Sequence, residues 1–151
     1  MKSAQGIEKL AVLVLFALVC VLSFVKIYDT DTWWHIKAGE VIARTGALPE
    51  TDVFAHTAEG REWINDEWVG DYYLYAVFSR YGATGLQALV VFFSLLIFFI
   101  VYQTGFRLGA DRLLLIPLIA VAVFAARTRL APRPEIFSLF FIASVFYLLN
   151  R

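Results

Sequence analysis

Four apolar runs divide the chain. Residues 10–27, LAVLVLFALVCVLSFVKI, sit near the lower limit of the roughly 17–25 residues that a spanning helix needs. Lys2 and Lys9 would suit a signal peptide, but no A-x-A site follows, and Ala17-Leu18-Val19 lacks the small residue that a lipoprotein carries before its cysteine. A retained helix is therefore expected. Residues 85–104 carry no charge and form the clearest transmembrane segment. Residues 113–126 are short and contain Pro117, whose freed backbone partner neighbouring helices can re-satisfy. The fourth run, 135–150, reaches almost to Arg151, so the protein is expected to continue beyond it. The pattern predicts an all-α integral membrane protein with about four transmembrane helices and a large loop, 28–84, between the first and second.

The loop has its own periodicity. Thr32 to Thr45 fits a short amphipathic helix, with Asp31 or Thr32 as cap, Trp34, Ala38, Val41 and Ile42 on one face, and Gly46 as its stop. Turn chemistry follows at Pro49 and Glu59-Gly60. A second amphipathic helix is expected over Asp66–Arg80, with Trp68, Tyr72, Tyr75 and Phe78 or Ser79 along its face. Asp71 inside it favours a helix lying in the interface over one that spans.

Composition sharpens this picture. The chain is 60% hydrophobic, against roughly 45–50% for ordinary globular domains. Its net charge is zero but unevenly placed: ten of the 13 acidic residues lie between Asp29 and Asp71, with only Lys37, Arg44 and Arg61 to offset them. All four tryptophans, Trp33, Trp34, Trp63 and Trp68, fall there as well. No basic stripe suggests a nucleic-acid partner. Cys20 is the only cysteine, which excludes an intramolecular disulfide.

Three stretches carry candidate chemistry. In Asp29-Thr30-Asp31-Thr32-Trp33-Trp34-His35, two carboxylates follow the first helix at the membrane surface. One of them can deprotonate an attacking hydroxyl, or the pair can hold a divalent cation as a metal site. His35 shares a helical face with Asp31 as a substrate-binding candidate. The structural alternative is a capping acid, a solvated edge and two interfacial anchors. In Trp63-Ile64-Asn65-Asp66-Glu67-Trp68, acids between tryptophans can bind a sugar, or simply start a helix favourably. Arg127, Arg129 and Arg133 can clamp phosphate, or can mark an ordinary positive-inside loop. His56 carries no particular role. Lys2 and Lys9, with Arg107 and Arg112, argue for a cytoplasmic N-terminus, which puts both the acidic loop and the Arg127–Arg133 cluster outside. A bare Lys/Arg count does not favour that orientation.

The run D-T-D-T-W-W-H-I-K-A-G-E, then G-A-L-P-E-T-D-V-F, then T-A-E-G-R-E-W-x-x-x-E-W, resembles a group of bacterial polytopic membrane proteins. These look like the GT-C glycosyltransferases, which take a sugar from a polyprenyl-phosphate donor. The resemblance covers residues from about 10 to 151. It implies a multi-pass protein of the bacterial inner membrane, contacting membrane lipid and a polyprenyl-phosphate sugar, with this chain as an N-terminal part that is inactive alone. It also implies a catalytic base at Asp29 or Asp31 and a donor phosphate held by the arginines. The family's second acidic motif has only Glu135 to match it. The reading from another class is a non-catalytic scaffold or assembly subunit, docking a protein partner through the acidic aromatic loop.

Overall fold

The computed structural model describes residues 2–24, 26–52, 54 and 60–150, with side chains from Gly6 onward. About 75% of the described residues are helical and none is in a strand, so the fold class is all-α. Five helices follow in order: α1 (Lys2–Ser23), α2 (Asp31–Thr45), α3 (Trp68–Arg107), α4 (Arg112–Ala126) and α5 (Glu135–Leu149). The chain forms two compact units. One comprises Met1–Lys26, Gln87–Ala131 and Glu135–Arg151, the other Ile27–Leu86 and Pro132–Pro134.

The first unit is a helix assembly with an apolar exterior. Phe16 of α1 meets Phe99 and Tyr102 of α3, with ring centroids 6.2 and 6.4 Å apart. Phe93 of α3 packs edge-on against Phe137 and Phe140 of α5. Val19, Ile119, Val123 and Ile136 are buried, whereas Leu13, Val21, Leu118, Val121, Phe141 and Ile142 are exposed. Asp111 caps α4 by accepting from the Leu113 and Leu114 N–H groups, and Arg112 pairs with Glu8.

Two helices are long and apolar enough to cross a membrane, Gly6–Ser23 and Trp68–Arg107. Only 17% and 33% of their most apolar windows are buried, which suits a lipid-facing helix better than the core helix of a globular domain. The first helix differs from the expected 10–27. It starts at Lys2 and stops at Ser23, with Phe24 N–H donating a last bond to the Cys20 carbonyl before charged Lys26.

The second unit is built on close backbone approach. α2 ends on Gly46, which adopts φ 69° and donates to the Ile42 carbonyl. Its start departs from expectation. Asp31 is the first helical residue rather than the cap, Thr30 at the cap makes no side-chain bond, and Asp29 Oδ1 accepts the Asp31 N–H at 3.0 Å. The buried face is also rotated from the expected one. Thr32, His35, Ile36, Ala38, Gly39 and Ile42 face inward, while Trp34 is exposed. Gly39 allows this, because a Cβ there would stand 2.6 Å from the Asp71 carbonyl carbon and 2.8 Å from Tyr75 Cβ. Gly70 is a second such contact, against Pro134. On the outer side of α2 the Lys37 ammonium donates to Glu40 and, with Arg44 nearby, holds that carboxyl below the usual carboxylate range.

The helix expected over Asp66–Arg80 and the span expected from residue 85 are joined in α3, interrupted by non-helical Gly82 (φ 61°, ψ −156°). Its inward face also departs from the sequence reading. Asp71 and Leu74 are buried, while Trp68 and Tyr72 are exposed.

Gly39→Ala is expected to destabilise this unit by about 1–3 kcal/mol, since the new methyl meets backbone rather than a flexible side-chain end. Urea unfolding of the solubilised chain, followed by tryptophan fluorescence, measures it, because all four tryptophans lie in this unit. An unchanged midpoint would mean that α2 can move away freely.

Candidate functional site

The loop segments of the second unit bring together residues from all three candidate stretches. The first cluster is a guanidinium between two carboxylates. Arg133 Nε lies 2.9 Å from Asp29 Oδ2, and its terminal nitrogen lies 3.2 Å from Asp31 Oδ2. Arg133 is largely buried, Asp29 is half-buried, and Asp31 is 51% exposed at its side chain. Pro132 and Pro134 stiffen the backbone on either side, and the packing of Pro134 on Gly70 fixes where the arginine starts. Asp29 therefore serves two contacts at once, with one oxygen on the start of α2 and the other on Arg133. Two carboxylates on one arginine can orient a substrate hydroxyl with the more exposed acid while the other stays anchored. Between them Arg133 supplies the positive charge that a divalent cation would bring. Among the described residues no group of three or more His, Cys, Asp or Glu side chains could hold a metal ion.

The second cluster lies one helical turn along α2. His35 Nδ1 is 2.7 Å from Asp71 Oδ1, and Asn65 Nδ2 donates to Asp71 Oδ2 at 2.8 Å. Asp71 is fully buried, and His35 and Asn65 nearly so. With Asp71 as a carboxylate, which only accepts, the His35 hydrogen on this side belongs to Nδ1. Nε2 is thereby turned toward Glu67, whose Oε2 is 4.0 Å away. Asn65 Oδ1 accepts the Glu67 N–H at 3.0 Å, so a single asparagine ties the approach to α3 to the buried acid. This arrangement resists movement of α2 against α3, because each buried polar group depends on the others for its partner.

The third feature is aromatic. Trp34 stacks on His35 with ring centroids 3.9 Å apart. Its other neighbour is Trp63, at 6.1 Å and 65°, and Phe54 meets Trp63 at 5.6 Å and 89°. Trp63 is placed by the hairpin-like return of the chain, in which its N–H bonds to the Glu50 carbonyl beside the Thr51–Glu62 bridge.

The remaining expected site residues stand elsewhere. Trp68 opens α3 and is 42% exposed, and Asp66 is exposed. The rings that gather around Trp63 are thus Trp34 and Phe54, with Trp68 belonging to the helix start. Arg127 and Arg129 belong to the first unit, where Arg127 lies over Phe124 and Arg129 pairs with Glu135 at 3.5 Å. The three arginines do not form one cluster within either unit, since Arg133 belongs to the second. His56 lies outside the described residues.

Sequence reasoning missed Asp71, Asn65 and Gly39. A signal existed for two of them. Gly39 falls four residues after His35 on α2, and Asp71 falls three before Leu74 on the apolar face of α3. A histidine and a glycine one turn apart, facing an acid on another helix, make a recognisable close-packing pattern.

No protein-family model, curated protein or solved structure matches this chain.

Proposed function

We propose that the chain is the N-terminal membrane part of a GT-C-like glycosyltransferase, transferring a sugar from a polyprenyl-phosphate donor to an extracytoplasmic acceptor. The observation that carries this reading is the Asp29–Arg133–Asp31 clamp, which holds two carboxylates a few residues beyond an apolar helix and leaves one of them open. Asp31 is the better placed to meet an acceptor hydroxyl, while Asp29 anchors both the helix start and the arginine. Proton removal by a positioned carboxylate is the step the geometry suits. Arg133 is engaged by both acids, so its charge serves this clamp. In this reading α4 and α5 also cross the membrane. At 15 residues each they measure about 22 Å, so they need flanking residues or a locally thinned bilayer. The deciding assay is sugar transfer by the full-length protein with charge-neutral replacements at Asp29 and Asp31. Unchanged transfer at normal expression overturns the reading.

One observation favours a second reading. Tyr28, Trp33, Ile64, Trp68, Tyr72 and Tyr73 are exposed apolar or aromatic side chains of the loop unit, a surface suited to a protein partner as well as to lipid head groups. A non-catalytic docking subunit would keep full function when the two acids are neutralised.

The orientation has its own test. Arg61 is exposed, and Cys20 is the only native thiol. Arg61→Cys in a Cys20→Ala background is expected to react with a membrane-impermeant maleimide in intact cells. Labelling that appears only after lysis would place the loop on the cytoplasmic side, away from an extracytoplasmic acceptor.

A further inference from the structure

We infer that the loop unit is seated in the lipid head-group layer through the outward strip Trp68, Val69, Tyr72 and Tyr73 of α3. All four side chains are exposed, and their helical spacing puts them on one side of the first two turns. Asp71, the only acid in residues 68–81, is turned the other way, buried against His35 and Asn65. Over these two turns the outward face is therefore aromatic and apolar. Tryptophan and tyrosine suit a protein partner as well as the head-group layer. Chain continuity decides between the two.

α3 has 40 residues, about 60 Å of helix, twice the roughly 30 Å of a hydrocarbon core. Its uncharged stretch, residues 85–104, measures about 30 Å and fills that core by itself. Residues 68–81 then begin at the head-group layer. Two exposed tyrosines mark this level, Tyr81 just before the uncharged stretch and Tyr28 soon after α1, where tyrosine is enriched. Carried straight on along the membrane normal, the helix would lift Trp68 about 20 Å above Tyr81, past a head-group layer of roughly 5–8 Å per side. The helix is interrupted instead. Gly82 adopts φ 61°, ψ −156°, a backbone conformation that glycine alone reaches readily. A Cβ there would meet nothing within 4 Å, so conformation rather than crowding calls for the glycine. The break lets residues 68–81 leave the direction of the span and lie along the membrane surface. The inference needs the apolar stretch of α3 to cross a membrane. It does not need the transferase reading, since neither Asp29 nor Asp31 belongs to the strip.

The test uses the full chain reconstituted in phosphatidylcholine vesicles, with a nitroxide on one introduced cysteine in a Cys20→Ala background. Collision rates with lipid-soluble oxygen and with a water-soluble nickel chelate report the depth of the label. Labels at Val69→Cys and Tyr72→Cys are expected at the head-group level. A label at Phe92→Cys, exposed within the uncharged stretch, is expected deep in the hydrocarbon. Water-like ratios at both strip sites, with Phe92→Cys deep, overturn the inference and give the strip to a soluble partner. Hydrocarbon-like ratios at both overturn it as well, by making residues 68–81 part of the span. A water-like ratio at Phe92→Cys removes the span on which the inference rests. Trp68→Ser combined with Tyr73→Ser should raise the nickel collision rate at Val69→Cys several-fold at an unchanged urea midpoint, which separates loss of the seat from loss of the fold. An unmoved label would show that the strip is carried to its depth by the chain and holds nothing there, which also overturns the inference.

Discussion

On the proposed transferase reading, Asp29→Asn and Asp31→Asn, made separately in the full-length protein, are expected to lower sugar transfer by about 10²–10⁴-fold at the position that serves as base, the range a positioned proton acceptor contributes. Asparagine is the informative substitution because it preserves the local backbone contact. The Asn side-chain oxygen can still accept the Asp31 N–H as Asp29 does, so the start of α2 survives. What it removes is charge, and here the structure adds a complication. Arg133 is largely buried and relies on both acids, so neutralising either leaves a guanidinium less well matched and can cost stability without touching the reaction. Pairing each change with Arg133→Gln resolves this. If an acid only balances Arg133, the double variant regains transfer. If it is the base, transfer stays low while the urea midpoint recovers. Recovery of transfer in both double variants would leave the clamp as a structural tie and favour the docking reading.

Asp71→Ala is expected to cost about 2–6 kcal/mol of stability, since two buried donors lose their acceptor at about 1–3 kcal/mol each. The loss is large because two donors, His35 Nδ1–H and the Asn65 amide, are left without the acceptor they share. Asp71→Asn should cost less than Asp71→Ala but more than a surface change. It fills the same volume yet offers one acceptor oxygen where two donors need one each. His35→Ala combined with Asp71→Ala should destabilise by less than the sum of the two, with a coupling of about 0.5–3 kcal/mol. Tryptophan fluorescence in a urea series measures all of these. Additive effects would show that the two side chains contribute independently, against the tie seen between them.

Much of the helical framework could be read from the sequence. Gly46 marks the end of α2, and Pro134 lies just before α5, because each residue has a backbone preference that acts locally. The apolar runs at 113–126 and 135–150 correspond to α4 and α5 within a residue, since a continuous apolar helix needs no tertiary information to be recognised. The loop unit was harder for physical reasons. Asp71 stands alone among aromatic residues, which suggests the wet side of an interfacial helix. Its partner His35 lies 36 residues away, and periodicity carries no information about pairing at that distance. The ring neighbours of Trp63 depend on backbone bonds between Glu50–Asp52 and Gly60–Trp63 rather than on a repeating pattern. The joining of Asp29 and Asp31 to Arg133 was hidden in the same way: both stretches were visible as candidates, but their meeting was not.

That last pairing bears on how the molecule is made. Asp31 and Arg133 are 102 residues apart, so the loop unit cannot close while the ribosome is still adding the chain between them. At about 5–20 residues per second, Asp29 and Asp31 wait roughly 5–20 seconds for their counter-charge. During that interval the Gly70 surface also lacks Pro134. The loop is thus a nascent domain with a timed final step, and any factor that shields acidic aromatic surfaces during insertion has its opportunity in that window.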